Sequence, residues 1–329
     1  MLYPALDPCA SSLLALGHGH RVFREQYGNA QGQPFVFLHG GPGGGCTPRS
    51  RHFFNPDHHR VALFDQRDCG RAARCANTKH NFFESWVYNM DTQREALGIG
   101  RWWLFGGAWG PTLARSNTRH HRARVQGLVL GGVLGAQPHE LDWLYKPDAA
   151  SQIFAKAWHA YATALGSMDP QQMLLADDQQ LHRNDPAQAQ AAALAWCGSE
   201  DAISFAHTAP RRDALDPPHS LAKARISTHL SLRDPRPEAS GQLWPAQNLQ
   251  GFRGTNVQDH WDVVTPAVTA WQLRQGWPNS TLRNVPEAGP ASSDPALRQA
   301  LIKSVIKALP VRADRAEMTM NEAEISNFI

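Results

Sequence analysis

Short apolar runs alternate with stretches of helical spacing through the first third of the chain. Arg21 to Tyr27 and Pro34 to Leu38 read as short strands, and Val61 to Phe64 as a compact buried one. Trp86 to Leu97 carries apolar residues at helical spacing. Arg101 to Phe105 reads as another buried strand, Gly106 to Gly110 as a sharp turn, Thr112 to Thr118 as the start of a helix and Val125 to Leu130 as a further strand. Strands alternating with helices predict an α/β architecture: a mostly parallel sheet joined by crossover helices.

Between about Gln137 and Arg236 the pattern becomes helical and rich in Ala, Gln and Trp, as in Ala149 to Leu165 and Ala187 to Trp196. Strand signals are missing there, which predicts an inserted helical cap. The strand–helix pattern resumes weakly after Gly251, and Ala296 to Leu309 reads as a final helix. The expected organisation is a first core part over 1–136, a cap over 137–236, a second core part over 237–310 and a polar, loosely attached tail over 311–329.

Composition narrows the class. The 329 residues are 42% hydrophobic and 19% charged with a net charge of +3, as in a soluble globular protein. No dense Lys/Arg stripe suggests nucleic acid, and no apolar run reaches the length of about 18 residues that spans a bilayer. The N-terminal segment lacks the charged and apolar regions of a secretory leader. The five cysteines are odd in number and hold no Cys-x-x-Cys pair, so neither a disulfide framework nor a zinc site is indicated. A cytoplasmic protein without metal or cofactor is expected.

Two motifs carry chemistry. His39-Gly40-Gly41-Pro42-Gly43-Gly44-Gly45 follows an apolar strand. Such a loop lets backbone approach a ligand and can aim an N–H at a developing oxyanion. It could instead cradle a phosphate, but no Gly-Lys-Ser/Thr follows. Gly106-Gly107-Ala108-Trp109-Gly110 has the glycine frame of a nucleophile elbow on a strand-to-helix turn, with alanine where a serine would stand. Taken alone, it could be only a tight turn.

With these motifs in place, the sequence resembles the proline iminopeptidases, which implies an α/β-hydrolase fold with a helical cap and a Ser-Asp-His triad. The resemblance runs through GHGHRVFREQYGNAQGQPFVFLHGGPGGGC, HHRVALFDQRDCGR, REALGIGRWWLFGGAWGPTLA, LDWLYKPDAASQIFAKAW and WDVVTPAVTAWQL. It places the family's serine on Ala108, its aspartate on Asp262 and its histidine on Pro290. Of two cap glutamates that receive the substrate's amino group, one aligns with Glu200 and the other with Ser227. Ser199 replaces a tryptophan. The family's Asp-Gln-Arg-Gly-Cys-Gly-Arg-Ser loop reads Asp65 to Ala72, with Asp68 for glycine and Ala72 for serine.

These substitutions imply a fold that keeps its binding shell and lacks acyl-transfer chemistry. Ala108 cannot form an acyl-enzyme. Gly40, Gly41, Gly43 and the Trp109 N–H would still receive a small molecule with a carbonyl or carboxylate, with Glu200, Asp68 and Cys69 as further lining. Asp262 and Asp68 could move protons, or both could be satisfied by loop N–H groups. His39 is expected to orient the glycine loop. The expected function is small-molecule binding or non-hydrolytic chemistry (cyclisation, lyase or isomerase type) in a specialised pathway. A non-catalytic pseudoenzyme and an aminopeptidase with a substituted nucleophile are the alternatives.

Overall fold

The structure is a computed structural model that describes residues 2–4, 6–146, 148–166, 173–205, 217–233 and 246–309. The expected tail over 311–329 and the expected cap boundary at 236 lie outside the described residues.

Eight strands form one sheet: β1 (Ala10–Ala15), β2 (Arg21–Gly28), β3 (Gln33–Leu38), β4 (His59–Phe64), β5 (Trp102–Ala108), β6 (Val125–Val133), β7 (Arg253–Asp259) and β8 (Ser280–Val285). Their order is β1-β2-β4-β3-β5-β6-β7-β8. The β1–β2 and β2–β4 pairs are antiparallel, and every other pair is parallel. This is the α/β-hydrolase fold.

The central strands read as continuous apolar runs because both faces are covered. Along β5, Trp102 and Leu104 enter one core with Val36, Leu38 and Leu128, while Trp103 and Phe105 enter the other with Phe35, Val61 and Val129. The two-residue period thus splits one apolar run between two buried layers. Helices α1 (Phe83–Ala96) and α2 (Trp109–His120) cover the first layer.

The described elements between β6 and β7 are all helices: α3 (Pro138–Tyr145), α4 (Ala150–Ile153), α5 (Ala155–Leu165), α6 (Met173–Leu181), α7 (Pro186–Ser204) and α8 (Pro217–Arg233). They have a core of their own, built on Tyr161, Leu165, Leu181, Trp196 and Ala224. Helices α9 (Ala267–Gly276) and α10 (Pro295–Ala308) complete the two layers over the sheet.

Three strands were not named from the sequence: β7, whose polar run Arg253–Asp259 fell where the pattern resumes only weakly, and β1 and β8, the two edges of the sheet. An edge strand pairs on one side only and leaves much of its surface in solvent, so neither carries an apolar run. The elbow also differs in detail from the expected turn. Strand β5 continues through Gly106 and Gly107 to Ala108, and α2 starts at Trp109. The reversal is therefore made at a single residue.

Candidate functional site

The loops after β3, β5, β7 and β8 all leave the carboxyl edge of the parallel strands. Connections depart in opposite directions from β3 and β5, so this edge holds a topological switch point, where open α/β sheets bind ligands. The glycine loop follows β3, Ala108 ends β5, Asp262 follows β7 and Pro290 follows β8.

Ala108 has φ 53° and ψ −103°, a conformation that L residues rarely adopt. The surrounding glycines make the turn possible. A Cβ on Gly106 would fall 2.9 Å from the Gly110 Cα, and one on Gly110 would fall 2.5 Å from the Leu38 carbonyl oxygen. The Ala108 methyl points to the glycine loop: a Cβ on Gly40 would meet it at 3.4 Å. Ala108, Gly40 and Gly41 remain partly accessible, while Trp109 is buried edge-on against Phe83 and Trp86. Trp109 thus contributes its indole to the core, and its backbone N–H stands at the start of α2, the positive end of the helix.

The glycine loop is held from behind by His39. Nδ1 lies 2.9 Å from the Gly40 carbonyl, and the Gln66 N–H lies 2.9 Å from Nε2. The Gln66 N–H makes Nε2 the acceptor and so favours the neutral Nδ1–H tautomer, donating to Gly40, although the Gly45 N–H also lies 3.1 Å from Nδ1. Burial holds the imidazole below its ordinary pKa, consistent with that form. Asp65 joins the two loops, accepting from the Cys46 N–H at 2.6 Å and from the Arg71 N–H at 2.9 Å.

Asp262 is 7% exposed and fully engaged. Oδ1 accepts the N–H groups of Val264 (2.9 Å) and Thr265 (2.6 Å); Oδ2 accepts Gln258 Nε2 (3.2 Å) and the Thr265 hydroxyl. It sits beside the elbow. Ala108 pairs with Val133, and a Cβ on the adjoining Gly132 would lie 3.1 Å from Asp262 Oδ2. Burial raises the Asp262 pKa against the pull of these donors. Asp259, at the end of β7, is fully buried, and no donor reaches either of its carboxyl oxygens. Burial and the Asp262 charge push its pKa up to about 8. Burial thus favours the protonated, neutral form of this carboxyl. Pro290 is half-buried in the loop after β8, which leans on the same region through the Trp261 N–H to the Ala288 carbonyl (3.2 Å).

Asp68 and Cys69, expected to line a ligand, are drawn inward instead. Asp68 lies 2.9 Å from His20 Nδ1 and accepts from Asn77 Nδ2 at 2.9 Å, so its partners are side chains, whereas Asp262 accepts loop N–H groups, one of the two readings open for both. Cys69 is buried, donates to the Arg67 carbonyl and has its thiol pKa pushed up by burial.

Helix α8 closes over the glycine loop. The Ser227 hydroxyl donates to the Pro42 carbonyl at 2.9 Å, His219 Nε2 contacts the Gly44 carbonyl, and a Cβ on Gly43 would lie 2.9 Å from the Lys223 Cα. Glu200, on α7, is ion-paired with Lys223 at 2.9 Å and accepts the Tyr145 hydroxyl at 3.2 Å. The sequence reading did not single out Asp259, Thr265, Tyr145 or Lys223. For Lys223 a signal existed: it lies one helical turn before Ser227, on the same face of α8.

Two surface clefts lie at the other end of the sheet, lined by Tyr27, Gly28, Arg51 and Phe54 and by Leu6, Asn29 and Asp57. They lie at the amino edge of the parallel strands and hold none of the residues above. Among the described residues, no helix is long and apolar enough to cross a membrane.

Comparison with known proteins agrees with this architecture. The α/β-hydrolase fold family profile matches residues 33–294. The proline iminopeptidase of Xylella fastidiosa is 37% identical over 304 residues, covering 92% of this chain and 97% of that protein. The proline iminopeptidase of Arabidopsis thaliana is 34% identical over 307 residues, covering 92% and 80%. Among solved structures, an α/β-hydrolase fold protein from Burkholderia ambifaria superposes with a TM-score of 0.63 at 14% identity, covering 92% of this chain and 98% of that one.

Proposed function

The chain belongs to the proline iminopeptidase family of α/β hydrolases, and from that premise we propose that it has lost Ser-His-Asp hydrolysis and uses the same edge of the sheet to bind a small molecule. Ala108 stands in the place of the nucleophile, Pro290 in that of the histidine, and Asp262 is the remaining triad acid. The observation that carries this reading is the methyl of Ala108 at a fully formed elbow, at φ 53° and facing Gly40. A hydrolase of this kind needs a hydroxyl or thiol at that point and a base within reach of it. Loss of the nucleophile alone costs about 10⁶ in turnover in a comparable enzyme.

What remains suits a carbonyl or carboxylate. The backbone of Gly40 and Gly41 and the positive start of α2 do not depend on the missing side chains, whereas Gly43 is buried against α8. Any chemistry on the bound molecule would be of the non-hydrolytic type, since Ala108 offers no nucleophile and Pro290 no base.

The test is a chromogenic N-terminal proline amide given to the purified protein and to Ala108→Ser. Neither is expected to release proline above the uncatalysed rate, because the serine alone would still lack its base. Turnover by the purified protein that Asp262→Ala abolishes would sink the proposal. Robust release by Ala108→Ser would show that a base is present and that the histidine's place is not Pro290.

A further inference from the structure

The helices between β6 and β7 hold a second group of ionisable side chains. Glu200 presents a carboxylate 26% exposed, with the hydroxyl of Tyr145 at 3.2 Å and the indole of Trp196 on the same helix one turn away. Beneath it, the Tyr161 hydroxyl donates to Asp177 Oδ2 at 3.1 Å, and Asp177 is fully buried with Oδ1 lacking any partner. A carboxylate among phenols and an indole is the chemistry that recognises an ammonium group. Here the ammonium is already present. Lys223 Nζ lies 2.9 Å from Glu200 Oε2 and 5.5 Å from the centre of the Trp196 ring.

The position of Lys223 is fixed from the other side. Its Cα lies against Gly43, and Ser227, one turn later on α8, donates to the Pro42 carbonyl. The lysine therefore has its root on the glycine loop and its charge on Glu200. Both oxygens of Glu200 are taken, one by Lys223 and one by Tyr145. Asp177 does not restore a negative charge, because burial first, and then the neighbouring Asp178 and Glu200, push its pKa up to about 8 and keep it a neutral acid at pH 7.

We propose that Lys223 is a specificity-determining residue: a tethered cation that fills the ammonium position at Glu200, so that the ligands of this protein carry no free α-amino group. The inference deepens the reading above and rests on it. A free amine would have to displace a lysine held on the same chain, which competes at an effective concentration of millimolar order. Displacement would also leave the lysine charge without its carboxylate in a site where its side chain is only 22% exposed. The ligands left are carbonyl or carboxylate compounds whose amino end is absent or acylated.

The test is calorimetric titration of the full chain with prolinamide, comparing the protein with Lys223→Met, which keeps an apolar stem beside Trp196 and removes the charge. The unaltered protein is expected to show no saturable binding. Lys223→Met is expected to bind saturably, at least about tenfold tighter than the detection limit set with the unaltered protein, a difference of about 1.4 kcal/mol, and the further change Glu200→Gln to remove the gain. Lys223→Arg should exclude prolinamide as the lysine does. A folded Lys223→Met that binds no better than the unaltered protein overturns the proposal. If Lys223→Met fails to fold, Lys223→Gln takes its place, and saturable binding by the unaltered protein that Glu200→Gln abolishes overturns the proposal equally. These are binding measurements. Failure of the hydrolysis reading would show instead as turnover of a prolyl amide.

Discussion

Thr265 gives Asp262 two hydrogen bonds, one from its backbone N–H at 2.6 Å and one from its hydroxyl. One residue thus satisfies both oxygens of a buried carboxylate, three positions along the same loop. The loop after β7 is built to hold Asp262 still rather than to leave it available.

Removing the hydroxyl tests that arrangement. Thr265→Val keeps the shape and takes away one donor from a buried carboxylate oxygen, which costs about 1–3 kcal/mol. Urea unfolding should show a loss of unfolding free energy of that size, read as a lower midpoint at unchanged slope, with Thr265→Ser restoring most of it. An unchanged midpoint would mean that Gln258 alone satisfies Oδ2.

Asp259 sets a dependence on pH. Its ordinary pKa is 3.8, and in the fold it rises to about 8 through burial and the adjoining charges of Asp262 and Asp294. Between these values the folded chain holds a proton that the unfolded chain releases. Stability is therefore greatest below about pH 4, as far as this group is concerned, and falls as pH rises towards about 8, by at most about 1.4 kcal/mol per pH unit. Asp177 adds a slope of the same sign. Asp259→Asn removes one of the two titrations, and unfolding free energies measured between about pH 5 and pH 8 should flatten. The same slope in the variant would rule out a protonated Asp259.

Ala108 carries a backbone strain that glycine would relieve. At φ 53° and ψ −103° an L residue costs about 1–3 kcal/mol, and glycine returns about 0.5–1 kcal/mol of that as added freedom in the unfolded chain. Ala108→Gly is expected to raise stability by about 1 kcal/mol net, read as a higher melting temperature. A lower one would show that the methyl packing against Gly40 outweighs the strain.

Most of the central sheet, the glycine loop and the elbow are legible in the amino-acid pattern alone. The runs at Val61 to Phe64 and Arg101 to Phe105 announce strands covered on both faces, and Gly106 and Gly110 are required wherever a strand turns at once into a helix against Leu38. These signals are local, carried by a two-residue period or by glycine spacing. The edge strands β1 and β8 left no such signal, since a half-solvated strand needs no apolar run.

What the polar residues do depends on contacts that exist only in the packed fold. Asp68 and Cys69 sit in a loop that resembles a ligand-lining one, yet His20, 48 positions earlier, turns Asp68 inward. Glu200 reads as an open carboxylate until α8 brings Lys223 to it. Asp259 carries no signal in the sequence, and only the packed fold shows it buried without a donor. A carboxylate's charge, partner and accessibility depend on groups tens of residues away in the chain. Spacing can place such a residue at the site, but only the packed fold determines whether it stands ready for a ligand or is already taken.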